Sequence, residues 1–347
     1  MMLTRFIQII RHEPYGICAG INAYNSPIIT FAMKAAPALA AGNVIISKAS
    51  ETNPFSSLFL GELAIQAGIP AGVLNILVGA VECGSALANH MKVRKISFTG
   101  SVAVGRKIQV AAAQSNLKSV TLELGGKTPV IVFPDADIDL AVTDSSGFMR
   151  LNGQGCVLGT RIFVHEAVVD EYVTKLKAKL EYHRSTLGSD PFDKKTISSP
   201  LYHHRQRDTV VSFLEQGVKE AEVLIGGKAF GDKGCYIEPT LFYKPKSNAH
   251  VVRNEIFGPV AVIDTYTDEE DVVRRANDTD YGLGATLYTK DLSTAMRVSN
   301  QLEAGTVTVN NSMYVHQAVA FGGWKSKWLF IRQNLLSQII CLSPIWL

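Results

Sequence analysis

Hydrophobic and polar positions along the chain change period with a regular beat. Short, β-branched, near-continuous apolar runs occupy residues 16–21, 43–48, 73–78, 95–99 and 119–124. Alanine-rich or amphipathic segments of helical length, residues 27–41, 54–67, 82–91 and 103–114, separate them. A strand that is apolar throughout has to be covered on both faces, and strands joined through helices run parallel with right-handed crossovers. The pattern therefore predicts β-α-β-α-β-α-β-α-β around a parallel sheet. Pro27 and Pro54 fall where a first helical turn tolerates a missing N–H, and Gly42 and Gly68 fall where a helix ends in the left-handed conformation.

After Gly126 a second alternating block begins. Strand-like runs at 129–133, 161–165, 223–226, 259–266, 284–288 and 306–310 alternate with helical segments at 138–150, 168–182, 204–216, 269–276 and 292–301. A chain of 347 residues exceeds what one core usually holds, so two α/β domains, each on a parallel sheet, are expected. The turn Gly125-Gly126-Lys127-Thr128 is the expected boundary, dividing the chain into 11–126, 127–324 and a tail, 325–347, with no clean period. Ligands of open parallel sheets bind beyond the carboxyl ends of the strands, which directs attention to Asn25, Lys48, Glu51, Gly79, Thr99, Gly100, Ser101 and Glu123.

Composition narrows the classes of function. Hydrophobic residues make up 47% and charged residues 19%, enough apolar side chain for large cores and too little charge for a disordered chain. With 34 Lys+Arg against 31 Asp+Glu and no basic stripe interleaved with aromatics, no nucleic acid is expected as a partner. Five scattered cysteines, Cys18, Cys83, Cys156, Cys235 and Cys341, suggest neither a disulfide framework nor a zinc site, and a reducing, cytoplasmic setting fits them. The first ten residues do not read as a signal peptide, and no charge-free apolar run is long enough to span a membrane. His12, His203 and His204 read as surface histidines, so no metal is expected.

The chemistry centres on Leu151-Asn152-Gly153-Gln154-Gly155-Cys156-Val157 together with Leu122-Glu123-Leu124-Gly125-Gly126. A cysteine in a glycine-punctuated turn is accessible to substrate, whereas Cys18 within a strand reads as a small buried hydrophobe. Glu123, flanked by leucines, suits a general base whose pKa desolvation raises, the alternative being a solvated glutamate at a strand end. On spacing alone Asn25 is equally a turn residue before Ser26-Pro27, and Lys48 and Glu51 are equally a surface ion pair. Phe98-Thr99-Gly100-Ser101, with Gly105, offers a strand, a close turn and a helix start suited to a pyrophosphate.

Eight motifs in order carry a resemblance: Glu13-Pro14-Tyr15-Gly16, Tyr24-Asn25-Ser26-Pro27, Lys48-Ala49-Ser50-Glu51, Phe98-Thr99-Gly100-Ser101, Leu122-Glu123-Leu124-Gly125-Gly126-Lys127, Gly153-Gln154-Gly155-Cys156, Asn254-Glu255-Ile256-Phe257-Gly258-Pro259 and Phe321-Gly322-Gly323. From about Arg11 to Lys325 the chain resembles the aldehyde dehydrogenase superfamily. The resemblance implies a Rossmann-like coenzyme domain and a catalytic domain with the active site at their interface, and NAD(P)-dependent oxidation of an aldehyde to an acid. It implies Cys156 as nucleophile, Asn25 with the Cys156 N–H as oxyanion donors, and Glu123 as base for hydrolysis of the thioester. Lys48, Glu51, Gly100, Ser101, Leu124, Gly125, Glu255 and Phe257 are implied cofactor contacts, the last two at the nicotinamide ribose and ring. A glutamate at position 51 repels a 2′-phosphate, so NAD is expected, with NADP as the alternative.

Two departures accompany the likeness. Family members carry a segment before the first coenzyme-domain strand that packs on that domain and builds part of an oligomerisation arm, and here the chain starts near that strand. After Gly323 the family's Ser-Gly-x-Gly-Arg-Glu continuation is replaced by an unrelated tail. The expectation is a truncated product or a gene-model artefact, shortened at both ends, with the homo-oligomer arm missing and an apolar face uncovered. Rival expectations are a silent, cofactor-binding relative and an acyl transferase to coenzyme A. Residues 153–159 and 16–20 point towards members acting on aromatic aldehydes.

Overall fold

The structure, a computed structural model, describes residues 10–312, 321–325 and 342–346. The leader reading of the first residues and most of the tail reading lie outside the described residues. Those described fall into two compact units, one formed by 10–124 with 342–346 and the other by 125–312 with 321–325.

The first unit runs β1 (Ile10–Pro14), β2 (Ile17–Ile21), α1 (Pro27–Ala40), β3 (Val44–Ala49), α2 (Phe55–Gln66), β4 (Leu74–Val78), α3 (Val81–Asn89), β5 (Lys95–Gly100), α4 (Val102–Gln114) and β6 (Ser119–Leu124). Strands pair in the order β4-β3-β2-β5-β6, all parallel, as the apolar runs predict. Alternation along β2 explains the covering of both faces: Cys18 packs with Phe31, Ala35, Ala38 and Ile45 beneath α1, while Ala19 and Ile21 join Ile96, Phe98, Ile108 and Val120 beneath α3 and α4. α2 differs from its neighbours, since Phe55, Phe59 and Ile65 face solvent and Ser57 alone of its residues is buried.

The second unit runs β7 (Thr128–Val132), α5 (Ile138–Ser145), β8 (Gly159–His165), α6 (Val169–Ser185), α7 (His204–Glu220), β9 (Glu222–Ile225), β10 (Thr240–Tyr243), α8 (His250–Arg253), β11 (Val260–Tyr266), α9 (Glu269–Asn277), β12 (Gly284–Tyr288), α10 (Leu292–Gln301) and β13 (Thr306–Val309). Its sheet order is β13-β12-β7-β8-β11-β10-β9. Val130 and Val132 of β7 feed one core and Ile131 the other, so this sheet too is buried on both faces. The expectation of a wholly parallel second sheet needs correction, because β9 runs antiparallel to β10. No helix lies between them, only turns through Gly226 and Gly227 and an antiparallel bridge from Ala229 to Ile237. Without a crossover helix the returning strand can pair only in the opposite direction.

Two further corrections concern the ends of elements. The helix expected over 138–150 stops at Ser145 and gives way to tight turns in which Arg150, Leu151 and Asn152 leave helical geometry. Within the tail, β14 (Leu342–Trp346) pairs antiparallel with β1, a strand the periodicity did not predict. Among the described residues no helix is long and apolar enough to cross a membrane.

Candidate active site

In the first unit the chain steps outward from β2 through β3 to β4, then returns to the other side of β2 with β5 and β6. The strand order reverses there, and the loops after β2 and β5 flank the crevice such a reversal creates. Asn25 stands half-buried in the loop after β2, which is anchored by the Asn53 amide donating to the Tyr24 carbonyl at 2.5 Å. Lys48, the penultimate residue of β3, is buried, and its ammonium donates to Glu51 Oε2 at 3.1 Å and the Ala49 carbonyl at 3.2 Å. Against a burial penalty, its own backbone N–H and Lys48 hold the Glu51 carboxyl below the usual range. Gly100 closes β5, and the Ser101 hydroxyl caps α4 by accepting from Val104 N–H. The other N–H groups of that first turn have no intrahelical acceptor, which is the general basis of anion binding at a helix N-terminus.

Glu123 is half-buried on β6, in register with Thr99 of β5, and Leu124 behind it is fully packed. Sequence reasoning missed Lys34, which α1 brings to the same place. Its ammonium donates to Thr99 Oγ1 at 2.6 Å and to the Thr30 carbonyl at 3.3 Å. Burial pushes that ammonium down to about 8, against the opposing field of Glu123. The signal was a lysine on the apolar stripe Phe31, Ala35, Ala38.

In the second unit three loops meet on glycine backbone. A Cβ on Gly126 would collide with the Cys156 carbonyl oxygen, and one on Gly153, at φ +77°, with the Gly258 carbonyl. The Cys156 turn is therefore held by main-chain contact, and its thiol-bearing residue stays half-buried. Gln154 fastens the turn further: its amide donates to the Leu151 carbonyl at 3.0 Å and accepts from Tyr202 N–H at 3.2 Å. The third loop is fastened by Gln206, whose amide donates to the carbonyls of Ile256 and Phe257 at 3.2 and 2.9 Å.

Gly126 N–H donates to Glu255 Oε1 at 2.9 Å, so the residue that abuts Cys156 also holds the glutamate. Gly125 leaves the space that the Glu255 carboxylate occupies, and Phe257 takes a left-handed φ of +55°. A cavity of about 10 Å³, the room of one water, lies among Gly126, Gly153, Gly155, Glu255 and Phe257. In keeping with the sequence, Cys18 is core, and His12, His203 and His204 are exposed. Among the described residues no group of three or more His, Cys, Asp or Glu side chains is arranged to hold a metal ion.

A parallel five-stranded α/β unit whose strand order reverses beside β2, and a second α/β unit whose glycine backbone meets both Cys156 and Glu255, are what the described residues present. The chain belongs to the aldehyde dehydrogenase family, whose model matches residues 3–334. It is 42% identical over 322 residues to an aldehyde dehydrogenase of Emericella nidulans, covering 92% of this chain and 64% of that protein. An Arabidopsis thaliana relative, aldehyde dehydrogenase family 2 member B4, mitochondrial, is 45% identical over 90% of this chain and 58% of its own length. Among solved structures, the P. syringae indole-3-acetaldehyde dehydrogenase AldA, a mutant in complex with NAD+ and IAA, superposes with a TM-score of 0.93 at 34% identity, covering 98% of this chain and 70% of that one. The chain thus spans less than two thirds of the length of these curated relatives.

Proposed function

We propose that this chain carries the residues for NAD(P)+-dependent oxidation of an aldehyde to a carboxylic acid. The observation that carries the reading is the clamp at Gly126, which abuts the Cys156 carbonyl and donates to Glu255, so one backbone element serves nucleophile and cofactor contact together. Cys156, as thiolate, attacks the aldehyde carbon, and the carbonyl electron pair moves to oxygen. Donors from the Asn25 amide and the Cys156 N–H stabilise that oxyanion. When bound, NAD(P)+ supplies the hydride acceptor. The resulting thioester on Cys156 is hydrolysed by water whose proton passes to Glu123; hydroxide adds to the acyl carbon and the thiolate leaves.

Residues of each unit fit the dinucleotide. Glu51, held by Lys48 and half exposed, can accept from ribose hydroxyls, and its charge favours NAD over NADP. Gly100, Ser101 and the first turn of α4 offer N–H groups to a pyrophosphate, with Leu124 packed behind them. Gly125, Glu255 and Phe257 serve the nicotinamide riboside end. Glu123 favours water over coenzyme A as acyl acceptor, because a dedicated base is needed for hydrolysis. The division into a coenzyme-binding part up to Gly126 and a catalytic part after it, and a reducing compartment such as the cytoplasm, belong to the same proposal.

NADH formation by the purified chain with an aldehyde panel tests the reading. Cys156→Ala should abolish turnover, and Glu123→Gln should allow one round of NADH formation and leave an acyl adduct on Cys156 visible by mass spectrometry. NAD+ binding without any NADH formation would point instead to a silent relative.

A further inference from the structure

Lys127 follows the Gly125-Gly126 clamp and is only 2% exposed, yet its ammonium has no hydrogen-bond partner among the described residues. It lines a second cavity of about 10 Å³, together with Asn277, Thr279, Tyr281, Gly282 and Glu303. One water fits there. A buried ammonium without bonds adds nothing to the fold and costs desolvation energy, so its benefit has to lie in what its charge acts upon.

The charges around it leave one candidate. Arg161, reaching in from β8, opposes it, and the Arg161 guanidinium is engaged by the carbonyls of Arg275, Ala276 and Asp278 at the end of α9. Glu303, which also lines the cavity, is ion-paired with Lys325 at 2.5 Å. Glu255 is the attracting charge. The two are also linked through structure: Gly126, next to Lys127, donates to the Glu255 carboxylate, and Tyr281, which lines the lysine's cavity, accepts from Glu255 N–H at 3.4 Å.

We propose that Lys127 is a positioning residue that acts through Glu255, holding its carboxylate charged and seated on Gly125–Gly126 so that it binds the ribose hydroxyls of a pyridine dinucleotide. This rests on the cofactor reading of Glu255. Burial, reinforced by Arg161 and countered by Glu255, brings the ammonium down to about 7, so its charge is lost near neutral pH.

The test is calorimetric titration of the purified chain with NAD+. Lys127→Met should weaken NAD+ binding about fivefold in the wild-type background and not at all in a Glu255→Gln background, the signature of two groups acting as one. In the unmutated chain the dissociation constant should rise as pH climbs from 6 to 8, and Glu255→Gln should flatten that rise, a readout that needs no Lys127 variant to fold. Equal losses in both backgrounds, no loss at all, or a flat pH profile in the unmutated chain would overturn the inference and leave the role of Glu255 standing. Unchanged NAD+ affinity in Glu255→Gln would instead remove that role, and the inference with it.

Discussion

Leu151 and Asn152 are consecutive non-glycine residues at φ +52° and +51°, immediately before the glycine that seats the Cys156 turn. Each L-residue in that region costs roughly 1 kcal/mol, more for leucine than for asparagine. Leu151 is 55% exposed, so its side chain recovers little of that cost through packing. Leu151→Gly should therefore stabilise the chain by about 0.5–1 kcal/mol in chemical denaturation, provided the turn geometry is kept. Lys127 presents the opposite balance of cost and use. Its ammonium loses its proton near 7 in the fold and near 10.5 when unfolded, so between those values the unfolded chain binds more protons and stability rises with pH. Lys127→Met should raise thermal stability by about 2 kcal/mol at pH 6.5, and calorimetry at pH 9 should find a smaller gain.

At the scale of elements, the cysteine turn depends on backbone touching backbone. Gly126→Ala would push its methyl into the Cys156 carbonyl, which the flanking strands β7 and β8 do not allow to move freely. The expected result is a loss of about 2 kcal/mol or more in stability, together with an altered rate of Cys156 alkylation by iodoacetamide. The element boundaries in the first unit fall within a residue or two of those expected from apolar runs and Pro/Gly punctuation. The failures came where chain signals were shortest. β10 has four residues after a glycine-rich loop, α8 has four, and the 138–150 segment kept its apolar pattern past the point where its backbone turns away.

For the whole molecule, the described residues form two units with separate cores, and the break falls between Leu124 and Gly125. That break separates Glu123 from Gly125 and Cys156 along the chain, so each unit carries part of the proposed chemistry. Among the described residues of the first unit, α2 turns Phe55, Phe59 and Ile65 outward.

Local patterns determined most strands, most helix ends, the two-part α/β architecture and the residues of the eight motifs, because strand and helix periods and turn sterics act over a few neighbours. Tertiary structure alone decided that Gly126 meets Cys156 and Glu255, that Lys34 reaches Thr99 beside Glu123, and that β9 runs backwards. It also decided that Lys127 is buried with no hydrogen-bond partner for its ammonium among the described residues. Those facts depend on desolvation and contact between residues remote in the chain. A lysine in an apolar stretch has the same sequence whether its ammonium reaches water or is sealed behind a glycine turn.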